Sequence, residues 1–237
     1  MPSETRGVDT PRTGPAAGCV AIVTGGSRGV GRATVRRLAT RGYAVVVDYV
    51  HDQRAAESTV EMVLADKGVA VAVRADVDDE LDVARLFAET IEAFGGIDVV
   101  VHVVGGRAVA TSVAEVDLDD FDALLRINAR ATLIVNREAA RHLRRGGAIV
   151  NLCSTASGSS LAAYGVYAAT RAATLVLTRA LALQLRDRHI TVNAVSVEAG
   201  RPCAPGSVAD VVAYLVSDHG HCLTGQVLGV DGTGSAP

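Results

Sequence analysis

The sequence predicts a doubly wound α/β fold: a parallel sheet of about seven strands, helices on both faces, a single domain. Three observations carry this. Short apolar runs alternate with helix-period segments along the chain. A glycine-rich loop joins the first apolar run to the first helix. Apolar residues make up 49% of the chain but aromatics only 3%, with no tryptophan, so the interior must be Ala, Val, Leu and Ile. Such residues suit strands buried on both faces.

In order, CVAIVT (19–24) reads as a buried strand, and GRATVRRLATRG after it has apolar positions at helical spacing. YAVVVDY (43–49) is the second strand and DQRAAESTVEMVLADKG the second helix, ended by glycine. VAVAVRADV (69–77) and DELDVARLFAETIEAFGG repeat the unit. Strands are then expected at 97–106, 148–154, 190–197 and 226–232, and helices at 117–145, 164–187 and 207–217. Each parallel connection needs a crossover, so strict alternation implies one parallel sheet.

Length and charge narrow the function classes. The 237 residues suffice for one large core. Residues 1–17 read as a disordered tail, with the domain over 18–237. A net charge of −3 and no basic stripe give no case for nucleic acid. No continuous apolar run reaches the ~18 residues of a membrane span, and the N-terminus lacks a signal-peptide core. Cys19, Cys153, Cys203 and Cys222 are widely spaced, which fits a reducing cytoplasm better than disulfides or a zinc ribbon. His219, His221 and Cys222 have no evident fourth ligand, so no metal is expected. Of 23 basic residues only Lys67 is lysine, a GC-rich codon signature.

TGGSRGVG (24–31) places glycines at 25, 29 and 31 between a strand and a helix. Such a loop lets the backbone approach a pyrophosphate at a helix N-terminus. Gly25, Ser27, Arg28, Gly29, Val30 and Gly31 are therefore candidate cofactor contacts. Further along, Tyr167 lies four residues before Arg171, on one helical face, where a cation favours the phenolate of a group that ionises near ~10 when free. Ser154 ends a strand at the sheet edge where ligands bind in such folds. Carbonyl reduction needs a proton donor and a group that polarises the C=O, and Tyr167 and Ser154 are the candidates.

The GxxxGxG spacing and the motifs after it resemble the short-chain dehydrogenase/reductase family over nearly all of 19–232. The resemblance implies a Rossmann-type fold, hydride transfer and further roles. Asp76 and Val77 in ADV match the adenine contacts, and Asn128 matches the mid-helix catalytic asparagine. IVNLCS matches the strand of the catalytic serine, Ser154, and YAATR matches YxxxK, with Tyr167 as acid/base. TVNAV and LTGQVLGVDG match the last two strands. By the same likeness Arg171 stands for the lysine that also holds the nicotinamide ribose, and Arg28 for the cation that NADP-preferring members offer the 2′-phosphate. Tyr49 occupies the end of the second strand, with Asp48 one residue earlier on the opposite face. NADP(H) is therefore expected rather than NAD(H).

Three departures accompany the likeness. Arg171 replaces lysine and cannot release a proton. HVVG (102–105) replaces NNAG, keeping Gly105, with His102 a cofactor-adjacent or structural residue. After TVNAV some two dozen lid residues are missing, which leaves an open pocket, a cover borrowed from a partner, or altered chemistry. The expected function is reduction of a ketone, small or polyketide-like, by a homodimer or homotetramer. A non-redox cyclase, dehydratase or isomerase, or a non-catalytic cofactor-binding subunit, stands beside it.

Overall fold

The computed structural model describes residues 18–103, 105, 109–155, 158–198 and 203–230. The expected tail at 1–17 and the chain end from 231 lie outside them. Seven strands form one sheet: β1 (Val20–Thr24), β2 (Ala44–Tyr49), β3 (Val69–Arg74), β4 (Ile97–His102), β5 (Leu143–Thr155), β6 (Thr191–Glu198) and β7 (Val227–Val230). Their order is β3-β2-β1-β4-β5-β6-β7 and every pairing is parallel. The direction of winding reverses between β1 and β4, which opens a crevice above their C-terminal ends.

Local chemistry sets the helices. α1 (Gly29–Ala39) follows the glycine loop. α2 (Gln53–Ala65) starts at Asp52, whose carboxylate accepts the Ala55 N–H at 3.0 Å. α3 (Glu80–Phe94) is capped by Asp79, which accepts from Leu81 and Asp82, and ends at Gly95 with φ of +77°. α4 (Leu118–Leu125) is capped by Asp117. α5 (Ala131–His142), α6 (Gly158–Gln184) and α7 (Pro205–Leu215) complete the set. Two apolar layers sandwich the sheet. Val35 and Leu38 of α1 meet Val208 and Val212 of α7 on one face, while Leu86 and Phe87 of α3 meet Ile134 and Val135 of α5 on the other.

The structure corrects the expected element bounds. The helix expected at 117–145 is α4 and α5 joined by a π-helical turn at Arg126–Arg130, and it stops at His142. β5 starts at Leu143 rather than 148, with an irregular pairing between Ile97 and Val99 of β4. Arg144 anchors that early segment: its Nη1 donates to Asp98 Oδ2 at 3.1 Å, and the same oxygen accepts the Val20 N–H at 2.8 Å. β3 ends at Arg74, although the Ala75 N–H still donates to the Tyr49 carbonyl at 3.0 Å. Within α6, Leu161–Gln184 is long and apolar enough to cross a membrane by length and composition, a property core helices share.

Candidate active site

The glycine loop has the shape a dinucleotide needs. Gly25 and Gly29 have φ of +60° and +53°, in the left-handed region. A Cβ on Gly31 would overlap the Gly25 carbonyl oxygen and stand 2.8 Å from its carbon, so the turn closes only without one. A Cβ on Gly29 would meet nothing within 4 Å, which leaves space above the start of α1. The residues therefore fit a bound dinucleotide: a close-packed turn below, open space above, and free helix N–H groups directed there. Ser27 is buried, its carbonyl taken by Thr59 Oγ1 at 3.1 Å, and Val30 is half-buried in the first turn of α1. Arg28 is largely exposed, 3.6 Å from Asp52.

At the end of β2 the two neighbours separate as alternation demands. Asp48 is wholly buried and its Oδ2 accepts the Gly25 N–H at 3.2 Å, while its Oδ1 has no partner. Burial pushes this carboxyl up to about 7, against the backbone N–H groups of Gly25 and Ala75 that pull it down. Tyr49 is half-buried beside it. Beyond β3, Val77 is buried and Asp76 is exposed, with its Oδ1 accepting the Asp78 N–H at 3.0 Å.

β1 and β4 meet at a polar joint. Thr24 Oγ1 lies 2.9 Å from His102 Nδ1 and accepts the Val103 N–H at 3.1 Å. His102 is fully buried, and its Nε2 has no hydrogen-bond partner. Burial and the nearby Arg171 charge push the imidazole down to about 3, so it is neutral at ordinary pH. Gly105 follows in exposed chain.

Helix α6 brings the central pair together. Tyr167 and Arg171 are both buried, at 3% and 5% exposure, and Arg171 Nε donates to the Tyr167 hydroxyl at 3.3 Å. The guanidinium carbon lies 5.9 Å from the Tyr167 ring centroid. Asn128 sits in the π-helical turn, where the Ala131 N–H reaches back five residues to the Arg126 carbonyl. Its Nδ2 donates to Thr170 Oγ1 at 2.8 Å, and Thr170 Oγ1 donates to the Tyr167 carbonyl at 2.8 Å. Asn128 is thus tied to the turn of α6 that holds Tyr167. Thr170 escaped the sequence reading; its one signal there is a hydroxyl at helical spacing from Tyr167.

Ser154 is half-buried near the C-terminal end of β5, opposite Val197 of β6. Its neighbour Cys153 is buried, which raises its thiol against the lowering effects of a Ser196 hydrogen bond and Arg171. Ser154 thus lies one residue before the end of its strand, beyond Asn151, which pairs with His102 at the end of β4. Tyr164, the other tyrosine of α6, is more exposed than Tyr167. Among the described residues no group of three or more His, Cys, Asp or Glu could hold a metal.

Comparison with known proteins bears on the family and the fold. The family described as short chain dehydrogenase matches residues 19–200. Versicolorin reductase 1 of Aspergillus parasiticus is 35% identical over 251 positions, covering 91% of this chain and 95% of that protein. Those positions outnumber the 237 residues of the chain, so the relative carries segments this chain omits. A hydroxynaphthalene reductase-like protein of Metarhizium majus is 37% identical over 201 positions, covering 84% of this chain and 71% of its own. A short chain dehydrogenase of Burkholderia cenocepacia, crystallised with NADP, superposes with a TM-score of 0.85 at 34% identity, covering 94% of this chain and all of the other.

A dinucleotide-type sheet with a tyrosine and a cation beside its crevice defines an oxidoreductase. The chain belongs to the short-chain dehydrogenase/reductase family.

Proposed function

We propose that the protein uses NADPH to reduce a ketone to a secondary alcohol, or runs the same reaction in reverse. The observation that carries this is the buried Tyr167 hydroxyl held at 3.3 Å by Arg171 Nε. When bound, the nicotinamide supplies the hydride. The chain supplies the rest. Tyr167 hands its phenolic proton to the oxygen of the substrate, and the fixed guanidinium charge beside it stabilises the phenolate left behind. Ser154 donates a hydrogen bond to the same oxygen and polarises the C=O. Asn128, through Thr170, holds the α6 turn that carries Tyr167.

NADP(H) is preferred over NAD(H) because the β2 carboxylate is otherwise engaged. Asp48 is turned inward onto the Gly25 N–H and offers no negative charge to a 2′-phosphate. Arg28 is exposed at the start of α1, free to swing from Asp52 onto that phosphate. Gly25, Gly29 and Gly31 hold the pyrophosphate, Asp76 and Val77 the adenine, and Arg171 faces the nicotinamide ribose. Support comes also from the B. cenocepacia relative crystallised with NADP.

The relatives named for versicolorin and hydroxynaphthalene reduction support a fused-ring, polyketide-like ketone. A shortened lid gives such a rigid plate room. The active form is a homodimer or homotetramer built on α5 and α6, whose outer surfaces expose Leu133, Val176 and Leu183.

NADPH oxidation with a panel of aromatic ketones tests the reaction. Tyr167→Phe is expected to cut turnover by at least ~10²-fold while the affinity for NADPH changes little. NADPH binding without turnover of any ketone would reject the reductase reading in favour of non-redox chemistry or a cofactor-binding subunit.

A further inference from the structure

We propose that His102 and Gly105 form a seat for the Arg171 guanidinium, so that the HVVG strand end and the YxxxR helix are one coupled feature. Both are positioning residues, acting on the reaction only through Arg171; the inference rests on the reading of Tyr167 as acid/base.

Gly105 provides the flat side of the seat. A Cβ built on it would stand 2.8 Å from Arg171 Nη1 and closer still to Cζ and Nη2. The whole guanidinium therefore lies against the bare Cα of Gly105, with its Nε directed at the Tyr167 hydroxyl. A planar guanidinium needs such a surface, whereas the compact ammonium of a lysine does not.

His102 lies at the end of β4, three residues earlier, near enough for the Arg171 charge to act on its ring. Its ring is fixed from β1 by Thr24 at 2.9 Å, and its Nε2 is buried without a partner. Thr24 Oγ1 has two lone pairs, one taken by the Val103 N–H, so it can also accept a proton from Nδ1. In that tautomer Nε2 carries a lone pair, the kind of group a buried cation tolerates as a neighbour. A second cation at this place would drive the guanidinium out. Burial keeps the imidazole neutral, and the Arg171 charge reinforces it.

The test follows the guanidinium directly and then through catalysis. Wild type, Gly105→Ala, His102→Asn, Arg171→Lys and the two double variants with Arg171→Lys are compared. Butanedione labelling, mapped to Arg171 by peptide mass spectrometry, reads its exposure without any turnover. Buried Arg171 is expected to react slowly in wild type and at least ~5-fold faster in Gly105→Ala and His102→Asn. With ketone and NADPH, Gly105→Ala is expected to lower kcat/KM by about 10-fold and move the midpoint of its pH profile. In the Arg171→Lys background the same change is expected to cost less than ~2-fold and leave that midpoint in place.

Equal losses in both backgrounds, or unchanged Arg171 labelling in both single variants, overturn the seat. If Gly105→Ala does not fold, His102→Asn is judged by the same two criteria. Should no ketone be reduced, labelling still decides the seat, and only the reductase reading falls.

Discussion

Asp48 carries a pH signature of its own in the cofactor region. The folded chain holds its proton up to about pH 7, against an ordinary value of 3.8. A raised carboxyl contributes stability that is fully present below its unfolded value and lost as pH rises through the folded one. Stability should therefore decline between pH 3.8 and about 7, by at most about 1.4 kcal/mol per pH unit, and level off above. Asp48→Asn puts an uncharged amide in the same place and removes that slope. Its melting temperature is expected to gain on wild type as pH rises through this window; parallel curves would refute the assignment. The sequence makes this residue half legible. Alternation along β2 says that Asp48 and Tyr49 face opposite ways, but which one turns inward depends on Gly25, 23 residues earlier.

At the scale of elements, α6 serves two surfaces. Its inner face carries Tyr167, Thr170, Arg171, Thr174 and Thr178, all buried. Its outer face exposes Val176 at 66% and Leu183 at 74%, two helical turns apart. If that face joins copies of the chain, Leu183→Glu is expected to lower the particle mass by light scattering. An exposed substitution changes monomer stability by no more than about 0.5 kcal/mol, so unchanged circular dichroism separates dissociation from unfolding. An unaltered mass would move the contact elsewhere. Element order was readable because apolar period and glycine stops are local signals. The ends of elements were not. β5 reaches back to Leu143 because Arg144 finds Asp98, 46 residues away, and no window around residue 145 holds that information. The link from Asn128 to Tyr167 through Thr170 spans 42 residues and was equally hidden.

For the whole molecule, binding is linked to folding. A ligand that holds only the native state adds about 2.7 kcal/mol when present at a hundred times its dissociation constant. NADPH is therefore expected to raise the melting temperature more than NADH at equal concentration. Arg28→Ala should narrow that difference, and no change on substitution would remove Arg28 from the phosphate site. Strand alternation implies a parallel sheet and the family resemblance a Rossmann-type one, but the strand order that opens the crevice is set by the pairings themselves. The π-helical turn at Arg126–Arg130 was not legible in the sequence either, and it separates two properties of the chain. A π turn holds one residue more than an α turn. Deleting a residue there would restore an unbroken α-helix and keep Ala131–His142 in step with the face it buries. The architecture would survive such a deletion, whereas the inward placement of Asn128 would not. Asn128 owes its inward place to a surplus residue that the scaffold can do without.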